Sequence, residues 1–125
     1  MSARNYHLRA SVTATGNAAA TVQVIKPGVV KCVSFQLYNF NTPDVTIALW
    51  ELSTVPTFQG NTNDAQGIIA NASISTGTGA LLSVAKIDPC AYRVGVGDRL
   101  YLHVVYVTGT ATEVGIANVA VEEGG

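Results

Sequence analysis

The chain has 125 residues, of which 48% are apolar and only 12% are charged, and its formal net charge is −1. A chain of this length buries roughly two-thirds of its extended surface, so it is predicted to form one domain, residues 1–125, and not to be disordered. Its seven basic residues are scattered singly, which argues against nucleic-acid binding, and no apolar run approaches the ~20 residues of a membrane-spanning helix. The usual charged fraction is ~25%. A surface with so little charge suits a protein that is covered by neighbouring molecules or one that lies outside the cell.

The first half of the chain predicts four strands, over residues 6–14, 20–25, 29–39 and 45–52. The first strand alternates apolar and polar residues, which is typical of a half-buried strand, here with a charged outer face suited to a sheet edge. In the third strand, Val29 is expected to share a face with Val33, Phe35 and Leu37. The fourth strand is apolar on both faces and is therefore predicted to be central, or covered on its outer side.

The second half predicts strands at 68–75, 80–87, 97–107 and 113–121. The Thr-Gly-Thr-Gly run at 76–79 indicates a hairpin between the first two of them. The strand that begins at Gly97-Asp98 has Leu100, Leu102 and Val104 on one wholly apolar face, so it is predicted to be a central strand. Residues 122–125 are expected to form a frayed tail.

About eight strands, no helix and turn signals every 8–12 residues together predict an all-β, antiparallel β-sandwich of jelly-roll type. Within that fold, Trp50 lies in the middle of an apolar strand, and core packing is favoured there over a sugar-binding platform. Phe58 is an apolar residue in an otherwise polar loop, which favours contact with a partner.

The sequence shows no set of residues that predicts a reaction. His7 and His103 are the two imidazoles, and His103 is expected to be a half-exposed strand residue bonded to a neighbour. Neither a nucleophile elbow nor a phosphate-binding loop is present, so no catalytic residue and no cofactor is predicted. The oxygen-rich segment 60–67 is interpreted as a solvated turn in preference to a calcium loop, so no metal site is predicted. Cys32 and Cys90 are interpreted as free thiols in preference to a disulfide.

In its length, low charge, richness in Thr, Ala, Val and Gly, and lack of an apolar leader, the chain resembles the capsid decoration (cement) proteins of tailed bacteriophages. It is also similar to trimeric jelly rolls of the tumour-necrosis-factor and C1q kind, in which a Gly-Asp pair opens a long strand as Gly97-Asp98 does here. The first resemblance implies a non-enzymatic virion structural protein that binds the outer surface of a capsid and stabilises contacts between coat subunits. It also implies a homodimer or homotrimer, a major capsid protein as partner, and a place on the virion after synthesis in the host cytoplasm without a signal peptide.

The residues predicted to contact such a partner are Arg4, Tyr6, His7 and Arg9, in an extended N-terminal arm formed by residues 1–9, and Phe58 in the long loop. An extended arm can add a strand to a neighbouring sheet. The alternative is a carbohydrate-binding or receptor-binding β-sandwich module of a phage tail or fibre, which would use Trp50, Phe58 and several tyrosines.

Overall fold

The structure, a computed structural model, describes residues 2–12, 17–39, 46–58, 67–76, 82–87, 91–108 and 113–124. These residues form nine antiparallel strands, and none of them is helical, so the described ranges hold no helix long and apolar enough to cross a membrane. The strands are β1 (Ser2–Val12), β2 (Asn17–Gln23), β3 (Gly28–Asn39), β4 (Thr46–Ser53), β5 (Ile68–Thr76), β6 (Leu82–Ile87), β7 (Tyr92–Val94), β8 (Arg99–Thr108) and β9 (Glu113–Glu123).

Two sheets pack face to face. Sheet A has the strand order β1-β9-β3-β6, with the short β7 paired to the start of β3, and sheet B has the order β2-β8-β4-β5. The first and last long strands are neighbours in one sheet, and the chain passes repeatedly between the two sheets, which is the double Greek-key arrangement of a jelly roll. The predicted all-β jelly-roll sandwich with about eight strands is confirmed, since β7 is only three residues long.

The core lies between the sheets and is centred on an aromatic stack. The rings of Phe35 in sheet A and Trp50 in sheet B are parallel within 8°, with centroids 4.9 Å apart, and both side chains are fully buried. Leu100, Leu102 and Val104 of β8 are equally buried, and β8 lies between β2 and β4, so the predicted central strand is confirmed. Trp50 is therefore a core residue and cannot serve as a sugar platform.

A β-bulge in β3 corrects the predicted face of Val29. The pairing of β3 with β9 shifts between Val30 and Cys32, which leaves Lys31 as an extra residue in the strand. A bulge of this kind reverses the alternation of side chains on its two sides. Consequently Val30 is fully buried beside Val33, whereas Val29 is half-buried on the outer face of sheet A.

The predicted hairpin at 76–79 is wrong, because the two strands that it would join belong to different sheets. β5 pairs with β4 in sheet B, and β6 pairs with β3 in sheet A, so the chain crosses the sandwich between them. Residues 77–81 of this connection lie outside the described residues. A Gly-Thr run permits a tight turn but cannot by itself report whether the next strand returns to the same sheet.

Both chain ends are also more ordered than predicted. Residues 2–9 are not a free arm, because β1 pairs with β9 along its whole length, from Ser2 opposite Glu123 to Val12 opposite Glu113. The same pairing, together with that of β3, includes residues 122 and 123, which were expected to fray. β1 is the edge strand of sheet A, as its charged outer face suggested.

Candidate docking surface

The predicted contact residues of β1 have divergent environments. Tyr6 points into the core, is only 6% exposed, and accepts a hydrogen bond at its hydroxyl from the backbone N–H of Ile25 at 3.2 Å. Because its ring is buried and bonded within its own chain, Tyr6 has little exposed side-chain surface to offer a partner, and the contact role predicted for it stays a prediction.

Arg4 forms an ion pair that fastens the beginning of β1 to the end of its neighbour β9. Its Nε donates to the Oε2 of Glu123 at 2.5 Å, and the Ser2 hydroxyl donates to the other carboxylate oxygen at 3.2 Å. The hydrogen bond from Arg4 lowers the pKa of Glu123 below its usual value, against the opposing effect of burial, and raises that of Arg4. The guanidinium is thus already engaged within the molecule.

His7 and Arg9 lie on the outer face of sheet A and are both exposed. The Nδ1 of His7 lies 2.9 Å from the Oδ1 of Asn118 on the neighbouring β9. Arg9 has no ion-pair partner among the described residues. Of the four β1 residues predicted to meet a partner, these two are open to solvent.

Phe58 lies on the opposite side of the sandwich, over the outer face of sheet B. It is half-buried, and its ring centroid is 6.3 Å from that of His103 in β8. The same segment, residues 54–58, is fixed by a hydrogen bond between His103 Nε2 and the carbonyl of Pro56 at 3.1 Å. The structure therefore does not bring Phe58 together with His7 and Arg9, which face away from it.

Beneath this segment lie three buried polar side chains. Glu51 and Ser53 of β4 are fully buried and His103 is 6% exposed, with Glu51 directly opposite His103 in the strand pairing. The expectation of a half-exposed His103 is therefore wrong, although its predicted bond to a neighbour is present. A carbonyl oxygen only accepts, so Nε2 carries the ring proton and His103 anchors the loop.

Within the described ranges, no three His, Cys, Asp or Glu side chains lie close enough together to hold an ion. The oxygen-rich stretch lies outside those ranges at 60–66, as does Cys90, while Cys32 has a free thiol.

The surface that the sequence reasoning missed is built from two turns at one end of the sandwich. Ile25, after β2, is 54% exposed and Val96, before β8, is 68% exposed, and they are the exposed large apolar side chains of the described residues. The turns are joined by two backbone hydrogen bonds, from Val24 N–H to the Asp98 carbonyl at 2.8 Å and from Gly97 N–H to the Val24 carbonyl at 3.1 Å. The two apolar tips are therefore held side by side.

The turn that carries Val96 is braced internally as well. The Asp98 N–H donates to the Gly95 carbonyl at 3.1 Å, and the Gly95 N–H donates to the Asp98 carboxylate at 2.8 Å. Gly97 has a φ of 90°, a conformation that costs glycine little and other residues more. A braced turn loses little conformational entropy when a partner covers it.

A groove of about 420 Å³ adjoins these tips on the outer face of sheet A. Pro27 and Gly95, which are close to Ile25 and Val96 in the chain, line it, and neither has a long side chain. Its lining also includes the charged residues Arg93, Lys31 and Glu122, and the Nζ of Lys31 lies 3.8 Å from the Oε2 of Glu122. We call this composite of Ile25, Val96 and the adjoining groove the docking end.

One sequence signal could have found the docking end. Ile25 stands immediately before Lys26-Pro27-Gly28, and Val96 stands between two glycines. Large β-branched residues are uncommon in turns, where polar residues and glycine are favoured. Two exposed apolar side chains at neighbouring turns make this end of the sandwich a candidate contact surface.

Comparison with known proteins gives a likeness of fold only. No protein family matches the sequence, and no curated protein matches it. Among solved structures, the chain is 18% identical to TmCBM61 in complex with β-1,4-galactotriose, with 95% of this chain and 69% of that chain covered and a TM-score of 0.46. It is 8% identical to the CBM36-1 domain of a multidomain xylanase from the hindgut metagenome of Trinervitermes trinervoides, covering 98% and 99%, with a TM-score of 0.48. For Desmodium yellow mottle tymovirus, the identity is 12%, the coverage 98% and 87%, and the TM-score 0.41.

Proposed function

We propose that this chain is a non-enzymatic structural module that attaches to the outer surface of a phage capsid through its docking end. In this role it stabilises contacts between coat subunits and itself forms a homodimer or homotrimer. The observation that carries the proposal is the pair of exposed apolar tips, Ile25 and Val96, locked together by backbone hydrogen bonds.

The composition of the chain supports attachment to protein. Only 12% of its residues are charged, so its binding energy has to come mainly from apolar and neutral hydrogen-bonding contacts. The docking end offers both, since the tips are apolar and the groove beside them presents Arg93 and Lys31 to polar groups of a partner. Many copies on one shell would sum modest individual interfaces into a large stabilisation.

The test begins with phage particles purified from the source that encodes the chain, in which the protein should be present at a fixed ratio to the major capsid protein. Recombinant protein is then bound to shells stripped of it. Burying the exposed parts of two aliphatic side chains contributes about 2 kcal/mol, so the double variant Ile25→Ser/Val96→Ser should bind roughly 30-fold more weakly.

A matched double variant, Ala19→Ser/Thr21→Ser, changes two exposed positions on β2 and should bind as the parent does. Absence of the protein from the particles, or equal binding by both double variants, would contradict the proposal. Circular dichroism should show the same unfolding midpoint for both variants, because exposed substitutions usually change stability by no more than about 0.5 kcal/mol.

The alternative is a carbohydrate-binding or receptor-binding module, and it now depends on sheet B. With Trp50 in the core, the aromatic side chains near this surface whose positions the structure describes are Tyr101 and Phe58, both close to the ring of His103. Tyr101 stacks on His103 with a centroid distance of 6.4 Å and is half-exposed. Binding on a glycan array that is lost with Tyr101→Ala but kept by Ile25→Ser/Val96→Ser would favour this function over the first.

A further inference from the structure

The edge of sheet A formed by β1 lacks the devices that normally protect a sheet edge. Natural edge strands are short, kinked by bulges, interrupted by proline or covered with charge. β1 has eleven residues, contains no proline, and pairs with β9 in an unbroken register. Within the described part of the chain, its backbone makes strand hydrogen bonds on one side only, because β1 ends the strand order of sheet A.

The charge on this edge is also smaller than the sequence suggests. β1 contains two arginines, but the Arg4 guanidinium is held by the buried carboxylate of Glu123. Arg9 is then the one arginine of β1 without an ion-pair partner among the described residues. The neighbouring edge strand of sheet B, β2, has no charged residue at all and contacts β1. This side of the sandwich is therefore long, regular and nearly uncharged.

We propose that β1 pairs antiparallel with β1 of a second copy of this chain, about a two-fold axis at His7, so that the two five-stranded sheets become one continuous sheet. This inference rests on the part of the proposed function in which the chain forms a homo-oligomer, and it names the strand that makes the contact between the copies.

The register follows from overlap and charge. An antiparallel pair centred on His7 places residue 2 opposite residue 12 and so uses all eleven residues of the strand. In this register each Arg9 lies opposite Asn5 of the second copy, four residues from the other Arg9, or about 14 Å along the strand. Centring the axis on Arg9 itself would set two guanidiniums face to face and shorten the overlap.

The same register is self-complementary on both faces of the sheet. On the inner face, Tyr6 lies opposite Leu8 of the second copy, and both side chains are already buried and held in place. On the outer face, the amide of Asn5 meets Arg9 of the second copy. Such an arrangement suits a two-fold interface, in which each contact occurs twice. Apolar and polar cross-strand pairs of this kind stabilise adjacent strands.

Single cysteines can test both the association and its register. The cysteines are introduced into the variant Cys32→Ser/Cys90→Ser, which has no other thiol. Residues opposite each other at a two-fold axis have Cβ atoms about 5 Å apart, which is close enough for a disulfide after a small adjustment. His7→Cys should therefore give a covalent dimer under mild oxidation. Asn5→Cys, equally exposed on the same face, would lie about 14 Å from its symmetry mate and should remain uncross-linked.

Light scattering of the unmodified chain should show a species of twice the 13.0 kDa chain mass at micromolar concentration. His7→Lys, which places two ammonium groups at the axis, should weaken dimerisation at least tenfold, whereas Val96→Lys, at a side chain that is 68% exposed, should leave it unchanged.

A monomer at all concentrations, a dimer in which the two cysteine variants cross-link equally, or a dimer that neither variant cross-links would each overturn the β1 pairing. These results are separate from the outcome for capsid attachment. A monomer that still binds shells through Ile25 and Val96 refutes the pairing alone, and a cross-linked dimer that binds no shell refutes the attachment alone.

Discussion

Replacing Trp50 by phenylalanine should change the stability of the protein very little, although the indole is fully buried. Its Nε1 is buried without a hydrogen-bond partner among the described residues, and leaving such a donor unpaired costs about 1–3 kcal/mol. The substitution removes this N–H together with two ring carbons, whose burial contributes roughly 1.6 kcal/mol at about 0.8 kcal/mol per carbon. The two effects oppose each other, and the net change should lie within about 1.5 kcal/mol of zero.

The assay is urea unfolding followed by far-ultraviolet circular dichroism, because Trp50 is the single tryptophan of the chain and the variant loses its fluorescence. Phe35→Leu is the matched control. It alters the other ring of the same stack, at 4.9 Å, but relieves no unpaired donor, so it should cost more than Trp50→Phe. A loss above about 3 kcal/mol for Trp50→Phe, with a smaller loss for Phe35→Leu, would refute the reasoning, since it would mean that the indole N–H is satisfied in the folded protein.

Three further predictions concern the edges and the loop. Because Arg4 lowers the pKa of Glu123, the ion pair stabilises the fold at pH values above the unfolded-state pKa of that carboxyl. This stabilisation is lost as the pH falls through the lower, folded-state pKa. In a plot of the urea unfolding midpoint against pH, the acid side should therefore be flatter for Arg4→Gln than for the parent. A Cβ on Gly28 would lie 2.7 Å from a β9 carbonyl oxygen, so Gly28→Ala should lower the free energy of unfolding by about 1–3 kcal/mol in a thermal unfolding assay. Gly95→Ala is the control: its Cβ would lie 3.8 Å from the nearest atom, so it should be nearly neutral in the same assay. His103→Ala removes the side chain that anchors the 54–58 segment and should increase proteolytic cleavage there under native conditions, and unchanged cleavage would show that the segment is held by other contacts.

The sequence predicted the elements that depend on local alternation. The strand with Leu100, Leu102 and Val104 on one face is central, and that apolar face is buried. Side chains alternate between the two faces of any strand, so the sequence shows which of them share a face whatever the tertiary arrangement. The same rule placed Val29 wrongly. A bulge at Lys31 inserts one residue, and nothing in the pattern of apolar residues marks it, since Val29 and Val30 are both valine and either can face the core.

The candidate site was harder to predict because it depends on which segments meet. Ile25 and Val96 are 71 positions apart in the chain, and only the pairing of β2 with β8 brings their turns together. Conversely, Arg4 was predicted to be available to a partner, and its engagement depends on Glu123 at the other end of the chain. The contact roles predicted for His7, Arg9 and Phe58 stay predictions, with the added finding that Phe58 and the two β1 residues face opposite ways.

The pairing of Ser2 with Glu123 has a practical consequence for anyone who handles this protein. Gly28, in the groove of the docking end, is itself opposite Glu123, so the first and last strand residues emerge beside that groove. A purification tag or a fused reporter attached at either end of this sequence would crowd the surface whose affinity is to be measured. Binding experiments should therefore use protein from which such additions have been removed, and a label is better attached at a site remote from both ends.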